Sequence, residues 1–494
     1  MRPFTSPERT LGECASFLGA EVDFGDTSIN GICSDSRAVE IGDLFVALPG
    51  ANHHGADFIE GALSRGAVAV MTDGVGTQLL SQRARELPIL SVRDPRPFLG
   101  PFSSWFYGSP SASMKVLGVT GTNGKTTTTH LLSQFLSSAG METGLIGTIA
   151  NRIGAENFPS THTTPEADEL QRILATMHER HCAAVAMEVS SHALALHRAA
   201  GTRFTACAFT NLSQDHLDFH QTMENYYQAK KSLFGADYTE RALIMIDDDY
   251  GMRLYNEVSI PATSLSLDNP KAHWHYTNRE QSSQGFEVSI RGEGGILIEG
   301  FLPLLGEHNL QNAIVAVALA VEAGVDPLLI GRSMRELRGA PGRLEKIDLG
   351  QEFTALVDYA HTPDAVSRVL KTIRSSTSGR VIAVLGCGGD RDKSKRPLMG
   401  QALLSGSDIA IFTSDNPRSE NPEAILKAMT EGIDLSVTAR IISNRRDAIR
   451  EAVESAKPGD TVIVLGKGHE TGQEIGGIKH PFSDQETLAE MIRR

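Results

Sequence analysis

A chain of 494 residues with 40% hydrophobic and 21% charged residues has the composition of a globular protein, and its length suggests about three domains. The net charge of −14 argues against nucleic acid as the main partner, because phosphate backbones bind basic surfaces. Charged residues among the first twenty positions, and the lack of any apolar run near membrane-spanning length, predict a soluble protein with neither a signal-peptide core nor a membrane span.

The five cysteines are scattered along the chain, odd in number and without any Cys-x-x-Cys spacing. This pattern argues against a disulfide framework and against a thiolate zinc site. We expect all of them to be small apolar residues of the core. They are Cys14, Cys33, Cys182, Cys207 and Cys387.

Residues 1–112 have the pattern of a small α/β domain that ends in a linker rich in Gly, Ser and Pro. The predicted strands are Asp43–Leu48, Ala67–Met71 and Ile89–Val92, the predicted helix is His54–Arg65, and the linker is Tyr107–Ser113.

Residues 113–345 begin with an apolar strand, a glycine-bearing loop and a helix, the order of a phosphate-binding (P-loop) unit. Alternation over Phe286–Phe301 indicates antiparallel strands beside the parallel ones, and Gly324 suits the end of a helix. The predicted strands are Val116–Val119, Ala183–Val189, Thr205–Phe209 and Leu243–Ile246, and the predicted helices are Lys125–Ala139 and Asn309–Ala323.

Residues 346–494 alternate short apolar strands with helices such as Pro363–Ile373, which is typical of a Rossmann-like, doubly wound parallel sheet. Ligands bind at the carboxyl ends of strands in such sheets, so the loops there are expected to form a site. The fold class is therefore α/β with three domains. The predicted strands are Ala355–Val357, Val381–Leu385, Ile409–Phe412 and Thr461–Leu465.

A phosphate-binding loop is predicted at Gly121-Thr122-Asn123-Gly124-Lys125-Thr126-Thr127, which follows a strand and opens a helix. Its backbone amides and the helix dipole would hold phosphate oxygens, Lys125 would pair with the outer phosphates, and Thr126 would ligate magnesium. Val119 stands where the general pattern has its first glycine. We predict ATP binding. No Asn-Lys-x-Asp motif is present, which argues against a GTP switch.

Two further side chains with metal-binding chemistry follow predicted strands. Glu188 ends one apolar strand, and His216 lies just past the next. A carboxylate and an imidazole could hold a second magnesium ion, although magnesium prefers oxygen ligands. Taken alone, each is more readily a structural residue at a strand end, and the nearby phosphate loop favours a functional role.

The order and spacing of these motifs resemble the Mur ligase family over nearly the whole chain. Thr120–Thr128 resembles its ATP loop, Thr210–His216 its metal-histidine segment, and Asp358–His361 and Gly466–Glu470 two C-terminal landmarks of one member. The resemblance implies an ATP- and Mg²⁺-dependent amide ligase of peptidoglycan synthesis, with uridine-diphosphate-sugar-binding, ATP-binding and amino-acid-binding domains at 1–112, 113–345 and 346–494. The γ-phosphoryl group of ATP would pass to a substrate carboxylate, and an amine would attack the acyl phosphate.

The resemblance also implies catalytic and nucleotide-binding residues. Lys230 aligns with a lysine that is carbamylated by CO2 in this family, which turns an ammonium into an oxygen-bearing anion; without the family it would be taken for a solvated helix lysine. The implied catalytic residues are Lys125, Lys230, Glu188 and His216, and the implied metal ligands are Thr126, Glu188, His216 and carbamylated Lys230. The implied nucleotide-binding residues, besides the loop, are Asn309, Arg343 and Asp358.

The loop Asp415-Asn416-Pro417-Arg418 resembles the segment of members that add meso-2,6-diaminopimelate. Arginine grips a carboxylate with a planar fork, and diaminopimelate carries a carboxylate at its far end that L-lysine lacks. We therefore expect diaminopimelate as the amino acid. Arg391, Gly466 and Glu470 would complete the pocket, and the glutamate could hold the distal ammonium. A surface Arg–Glu pair is the alternative.

The implied acceptor is UDP-N-acetylmuramoyl-L-alanyl-D-glutamate. Residues of the first domain that resemble its uridine diphosphate segment are Ser34, Ser36, Ala51, Asn52 and His53. Residues that resemble positions holding the muramoyl peptide are Thr163, Thr164, Ser190 and Arg198. We expect a monomer that acts on small molecules.

Other readings of the sequence are a lysine-adding relative, another amide ligase of this architecture such as a folylpolyglutamate synthase, and a regulatory module that binds ATP without ligating anything. Arg418 and the Ser34–Arg37 segment argue against the first two. A regulatory module would not need Glu188, His216 and Lys230 together.

Overall fold

The computed structural model describes residues 2–5, 7–50, 52–82, 86–282, 284–435 and 438–494. The chain forms two compact units. The first consists of Met1–Tyr276, Ile290–Ile298 and Gln311–Ile330, and the second of Thr277–Ser289, Glu299–Leu310 and Gly331–Arg494.

The beginning of the first unit contains a four-stranded parallel sheet in the order β3-β4-β5-β6 and a separate β1-β2 pair. The strands are β1 Arg9–Thr10, β2 Ser28–Ile29, β3 Gly31–Cys33, β4 Asp43–Ala47, β5 Ala69–Thr72 and β6 Ile89–Ser91. The helices are α1 Leu11–Leu18, α2 Ile59–Ser64, α3 Gly74–Leu79 and α4 Pro95–Phe106. The predicted helix over 54–65 opens as a 3₁₀ turn, Gly55–Phe58, and the His54 ring caps it by accepting from the Ala56 amide at 3.0 Å.

The rest of the first unit is built on a parallel sheet whose strands run in the order β8-β11-β7-β12-β13-β14, with β9 and β10 added antiparallel at the β8 edge. The strands are β7 Lys115–Thr120, β8 Thr143–Ile146, β9 Asn151–Ile153, β10 Glu156–Phe158, β11 Ala184–Glu188, β12 Ala206–Phe209, β13 Ala242–Met245 and β14 Ala262–Ser266. The helices are α5 Lys125–Ser138, α6 Ala167–Glu179, α7 Ser191–Ala195, α8 Leu217–His220, α9 Met223–Lys231 and α10 Asp249–Glu257. Since β7 lies between β11 and β12, the loops after these three strands begin side by side.

Three strands and two helices follow. They are β15 Trp274–Ser282, β16 Gly285–Arg291, β17 Leu297–Leu302, α11 Glu307–Glu322 and α12 Pro327–Ser333. Strands over the alternating segment 286–301 and a helix ending before Gly324 were predicted, and both are present.

The main sheet of the second unit has the order β18-β19-β23-β20-β21-β22, parallel except for β18. Its strands are β18 Glu345–Lys346, β19 Thr354–Asp358, β20 Val381–Cys387, β21 Ile409–Ser414, β22 Ala439–Ile441 and β23 Thr461–Leu465, and a hairpin adds β24 Gly472–Ile475 and β25 Ile478–Pro481. The helices are α13 Pro363–Ser376, α14 Lys395–Gly406, α15 Pro422–Met429, α16 Arg445–Glu454 and α17 Asp484–Arg493. The doubly wound sheet predicted for this part of the chain is confirmed.

All five cysteines are buried and unpaired, as expected of core residues. Across the described part of the chain, no helix has both the length and the apolar character needed to cross a bilayer.

Candidate active site

The predicted phosphate loop leaves the carboxyl end of β7 and enters α5. Gly121 and Gly124 have φ of +151° and +90°. A Cβ atom on Gly121 would lie 1.9 Å from Oγ1 of Thr210, and one on Gly124 would lie 2.3 Å from Oδ1 of Asn312. Both positions therefore require glycine, for conformation and for space.

The segment after β12 supports the loop from the side. The Thr210 hydroxyl donates to the Asn123 carbonyl at 2.6 Å, and the Asn123 amide donates to Oδ1 of Asn211 at 3.0 Å. Lys125 folds back onto the loop, where Nζ donates to the carbonyls of Gly121 at 2.9 Å and Thr122 at 3.0 Å. The loop is thus fixed by neighbours in the sheet.

Glu188, at the end of β11, is fully buried and accepts three hydrogen bonds. The donors are the Thr126 hydroxyl at 2.9 Å, the Thr148 amide at 2.9 Å and the Thr148 hydroxyl at 3.2 Å. The structure therefore brings together two of the predicted metal ligands, Thr126 and Glu188. It adds Thr148, which was not predicted.

Lys230, on α9, is buried against the phosphate loop. Its Nζ donates to the Gly121 carbonyl at 2.8 Å and lies 4.8 Å from the centre of the Tyr226 ring. Burial, together with the positive charge of Lys125, lowers the pKa of Lys230 well below its usual value. Its neighbour Lys231 instead forms a surface ion pair with Glu257 at 2.8 Å, so it is Lys230 that reaches the loop.

His216 is half-exposed, with φ of +52°. Its ring contacts His192, with 4.7 Å between ring centres, and its Nε2 lies 3.5 Å from Oδ2 of Asp215. Among the described residues, no three His, Cys, Asp or Glu side chains converge as a metal site, and no hydrogen bond joins His216 to Glu188.

The residues predicted to hold the muramoyl peptide surround the end of β11. Thr163 shares a 3.0 Å hydroxyl contact with Thr148. The Thr164 hydroxyl donates to the Glu188 carbonyl at 2.9 Å and accepts from the Ser190 amide at 3.1 Å. Arg198 lies beside the same turn. Its Nη1 lies 3.5 Å from the Thr164 carbonyl and its Nη2 pairs with Glu166 at 2.8 Å.

The predicted uridine residues are less clustered. The amide and hydroxyl of Ser34 donate to the Asp168 carboxylate on α6 at 2.9 and 2.7 Å, so this serine fastens the first sheet to α6. Ser36 is half-buried, Asn52 and His53 are exposed, and Ala51 lies outside the described residues.

In the second unit, the predicted nucleotide residues are held by local contacts. Asp358, at the end of β19, accepts from the Leu344 amide at 2.7 Å and the Ala360 amide at 2.8 Å, and burial raises its pKa. The Arg343 guanidinium lies 4.7 Å from the centre of the Tyr359 ring. Asn309 is buried, and its Nδ2 donates to the Leu305 carbonyl at 2.9 Å.

Two loops of the second unit, after β21 and after β23, are joined by side chains. Nδ2 of Asn416 donates to Oε2 of Glu470 at 2.8 Å. A Cβ atom on Gly466, whose φ is +109°, would lie 2.7 Å from Oδ2 of Asp415, so this glycine lets the loops approach. The structure therefore brings four of the predicted amino-acid-binding residues together.

Arg418 is fixed on several sides. Its backbone pairs with the hairpin, since its amide donates to the Glu474 carbonyl at 3.0 Å and its carbonyl accepts from the Gly476 amide at 2.7 Å. Its Nη1 donates to the Gly389 carbonyl at 2.7 Å, and its Nε lies 3.3 Å from Oε2 of Glu474. Gly389 also admits the Pro417 carbonyl, which would lie 1.9 Å from a Cβ atom there. Arg391 is exposed.

Three residues near these sites were not predicted as functional: Thr148, Asp168 and Lys467. Thr148 could have been suspected because it follows an apolar strand, but its place beside Glu188 depends on the pairing of β8 with β11. The Lys467 ammonium donates to Oδ1 of Asn416 at 3.0 Å and to Oε2 of Glu470 at 2.9 Å. Its position inside the Gly466–Glu470 motif was the available signal.

Three family models match the chain in the order in which its domains were predicted. They are described as Mur ligase family, catalytic domain (residues 28–107), Mur ligase middle domain (residues 119–320) and Mur ligase, glutamate ligase domain (residues 342–468).

The chain is 45% identical to the UDP-N-acetylmuramoyl-L-alanyl-D-glutamate–2,6-diaminopimelate ligase of Streptomyces coelicolor, over 100% of this chain and 98% of that relative. A solved structure of a ligase with the same name is 34% identical, with a TM-score of 0.72, over 98% of this chain and 99% of the other. A folylpolyglutamate synthase of Mycobacterium tuberculosis, solved with ADP and AMPPCP, is 18% identical with a TM-score of 0.60, over 75% of this chain and 92% of its own, and shares the fold. On these matches, the chain belongs to the Mur ligase family.

Proposed function

We propose that this protein joins meso-2,6-diaminopimelate to the D-glutamate carboxylate of UDP-N-acetylmuramoyl-L-alanyl-D-glutamate, with hydrolysis of ATP to ADP and phosphate, in peptidoglycan synthesis. The observation that carries the proposal is the joined pair of loops in the second unit. They carry Arg418 and Glu470, whose guanidinium and carboxylate have the charges needed to bind the far-end carboxylate and ammonium of diaminopimelate. The 45%-identical relative of that name supports the same reaction.

The first unit binds ATP and activates the acceptor. Loop amides from Gly121 to Thr127 and the N-terminus of α5 hold the phosphates. The Lys125 ammonium leaves the Gly121 and Thr122 carbonyls for the outer phosphates, where it neutralises charge as the γ-phosphoryl group passes to the carboxylate oxygen. ADP leaves, and the product is an acyl phosphate. The likeness to an ADP-bound fold relative agrees with this role.

Magnesium fits the oxygen-rich end of β11. The Glu188 carboxylate and the Thr126 hydroxyl are hard oxygen donors already in contact, and we assign His216 and a carbamylated Lys230 to complete the ligand set. When bound, the ion supplies positive charge that offsets the charge of the transferring phosphoryl group. The lowered pKa of Lys230 favours the neutral amine that adds CO2, which supports the carbamate.

The second unit binds the amino acid. Arg418 holds the distal carboxylate, Glu470 the distal ammonium, and Asp415, Asn416, Pro417, Arg391 and Gly466 shape the pocket. The free amine of the bound amino acid attacks the acyl carbon, a tetrahedral intermediate forms, and phosphate leaves as the amide bond closes.

Asn309, Arg343 and Asp358 are proposed to contact the nucleotide. The UDP-sugar residues are proposed to be Ser34, Ser36, Ala51, Asn52 and His53, with Thr163, Thr164, Ser190 and Arg198 for the peptide.

We further propose three domains with boundaries at 1–112, 113–345 and 346–494, a division supported by three family matches in the same order over residues 28–107, 119–320 and 342–468. A cytoplasmic location follows from the consumption of ATP, and we expect the monomer to be active.

The test is phosphate release and product mass with ATP, Mg²⁺ and the UDP-muramoyl dipeptide, with diaminopimelate and L-lysine offered in parallel. A tripeptide product with diaminopimelate, abolished when Mg²⁺ is removed by chelation, is the expected result. If product formed only with L-lysine, the ligase activity would be confirmed and the assignment of diaminopimelate as the amino acid would be wrong. If no product formed with either amino acid, the protein would share the fold of the family but would not catalyse the proposed reaction.

A further inference from the structure

Lys467 is a fully buried lysine that lies between the two amino-acid-binding loops of the second unit. Burying an ammonium is costly unless it is hydrogen-bonded and paired with opposite charge. Its Nζ meets both needs, with Oδ1 of Asn416 at 3.0 Å, Oε2 of Glu470 at 2.9 Å and Oδ1 of Asp415 at 3.9 Å. All three partners belong to the proposed pocket.

The contacts of Lys467 fix which way the Asn416 carboxamide points. Oδ1 of Asn416 faces two groups that can only donate, the Lys467 ammonium and the Glu474 backbone amide at 2.9 Å. The oxygen must therefore occupy this side, and the NH2 group points to Oε2 of Glu470 at 2.8 Å. If the amide were reversed, the NH2 group of Asn416 would face the Lys467 ammonium and the Glu474 amide, and none of these groups can accept a hydrogen bond.

The same contacts give the two carboxylate oxygens of Glu470 different partners. Oε2 receives hydrogen bonds from both Lys467 and Asn416 and is held by the protein. The side chain of Glu470 is 34% exposed, so Oε1 can accept from a ligand ammonium. Burial opposes ionisation of Glu470, yet the hydrogen bonds from Lys467 and Asn416 lower its pKa, so that the carboxylate stays charged.

We propose that Lys467 is a positioning residue of the amino-acid site, which aims Oε1 of Glu470 at the distal ammonium of diaminopimelate by holding Oε2 directly and through the Asn416 carboxamide. This inference rests on the proposed function. Lys467 touches no reacting atom, and it acts through Glu470, both directly and by way of Asn416. Its loss should therefore weaken amino acid binding and leave the handling of ATP and of the UDP-muramoyl dipeptide unchanged.

The experiment measures KM and kcat of the full chain for all three substrates in Lys467→Met, with Lys479→Met as the control. Lys479 lies on the exposed strand β25 of the hairpin. Removing one partner of a buried charged network should raise KM for diaminopimelate on the order of tenfold or more. The KM values for ATP and dipeptide should stay within about twofold. An unchanged KM for diaminopimelate, or a parallel rise for all three substrates, would overturn the inference.

A double variant makes the test independent of the stability of Lys467→Met. Lys467→Met/Glu470→Gln removes the ammonium and the carboxylate of this pair together, while Asp415 and Arg418 keep their charges. If Lys467 acts through Glu470, the double variant has the same KM for diaminopimelate as Glu470→Gln alone. A further loss of the size that Lys467→Met shows by itself would contradict the mechanism. Wild type without product in the same assay would instead overturn the proposed function.

Discussion

At the residue scale, the neighbouring lysines Lys230 and Lys231 allow a matched test of the proposed carbamate. Lys230 contacts the phosphate loop, whereas Lys231 pairs with Glu257 at the surface. Lys230→Met is expected to reduce kcat on the order of 100-fold or more, because the proposed carbamate anion beside the phosphate loop would be lost. With ¹³C-bicarbonate, wild type should show a carbamate carbon signal in NMR that Lys230→Met lacks. Lys231→Met, which removes only an exposed ion pair with Glu257, is the matched control and should keep both the signal and kcat.

The outcome that contradicts this assignment is equally definite. A carbamate signal that survives in Lys230→Met, or full activity of that variant, would remove Lys230 from the site. The buried contact with the Gly121 carbonyl would then serve only to hold the phosphate loop.

Arg418 is expected to determine the choice of amino acid. Its planar fork is set by the Gly389 carbonyl and by Glu474, and a lysine at this position could not bind a carboxylate bidentately. Arg418→Lys should lower kcat/KM for diaminopimelate on the order of tenfold or more while KM for ATP is unchanged. Arg374→Lys, at an exposed ion pair with Asp408 in the same unit, is the control.

Steady-state kinetics with each substrate varied in turn checks this. If Arg418→Lys retained the wild-type kcat/KM for diaminopimelate, recognition of the far-end carboxylate would have to lie elsewhere, and Arg391 would be the next candidate.

Motif residues such as Lys125 and Thr126 could be predicted from the sequence because the strand–loop–helix order alone places them. Their partners could not. Thr148 reaches Glu188 only because β8 pairs with β11, which lies 40 positions later in the chain. Ser34 was predicted to contact the ligand, and the structure shows it bound to Asp168, a contact between segments 134 positions apart.

At the element scale, a buried ion pair ties together the strands that carry the amino-acid-binding loops. Arg445, on α16, and Asp484, on α17, are both fully buried and pair at 2.7 Å. The Arg445 guanidinium also donates to the Leu465 carbonyl at 2.8 Å and lies 3.4 Å from the Ser414 carbonyl, the last residues of β23 and β21. The pair therefore sets the spacing from which both loops begin.

Asp484→Asn should destabilise the second unit by about 3–5 kcal/mol, because it leaves a buried guanidinium without its counter-charge. Hydrogen exchange of peptides from β21 and β23 measures this loss. Glu490→Gln breaks the exposed Arg446–Glu490 pair between the same two helices and is the matched control, with no loss expected. Equal exchange in the two variants would mean that the buried pair does not hold the strands.

The elements that the sequence predicted best are the buried parallel strands, since β20 and β23 are mostly apolar and buried along their whole length. The elements that it missed lack such a pattern. Helix α4 contains Pro101, and every residue of β25 is exposed, so neither helical periodicity nor strand alternation could identify them. Yet the β24–β25 hairpin fixes the backbone of Arg418.

At the scale of the whole molecule, the chain forms two compact units, and the division into three domains stays a prediction. The first domain and α6 share one core, in which Leu99 and Phe102 of α4 belong to the same cluster as Ala167 and Ala175 of α6. Composition and motif order do not reveal such sharing, because the contacting residues are far apart in sequence. The second unit has cores of its own on the two faces of its sheet.

The proposed sites predict which segments of the chain each ligand protects. AMPPNP with Mg²⁺ should slow hydrogen exchange over 119–128 and around Glu188, where loop amides and the buried carboxylate are proposed to receive the phosphates and the ion. The proposed nucleotide contacts Asn309, Arg343 and Asp358 should gain protection with the same ligand. Diaminopimelate alone should slow exchange over 388–391, 415–418 and 466–470, since those loops are already joined through Asn416, Lys467 and Glu470. Hydrogen-exchange mass spectrometry of the full chain with each ligand separately makes the measurement.

L-lysine, which offers an ammonium to Glu470 but no carboxylate to Arg418, serves as the control ligand and should protect 415–418 less. Protection of 119–128 by diaminopimelate alone would mean that the amino acid binds in the first unit. The roles proposed for Arg418, Glu470 and Lys467 would then be wrong.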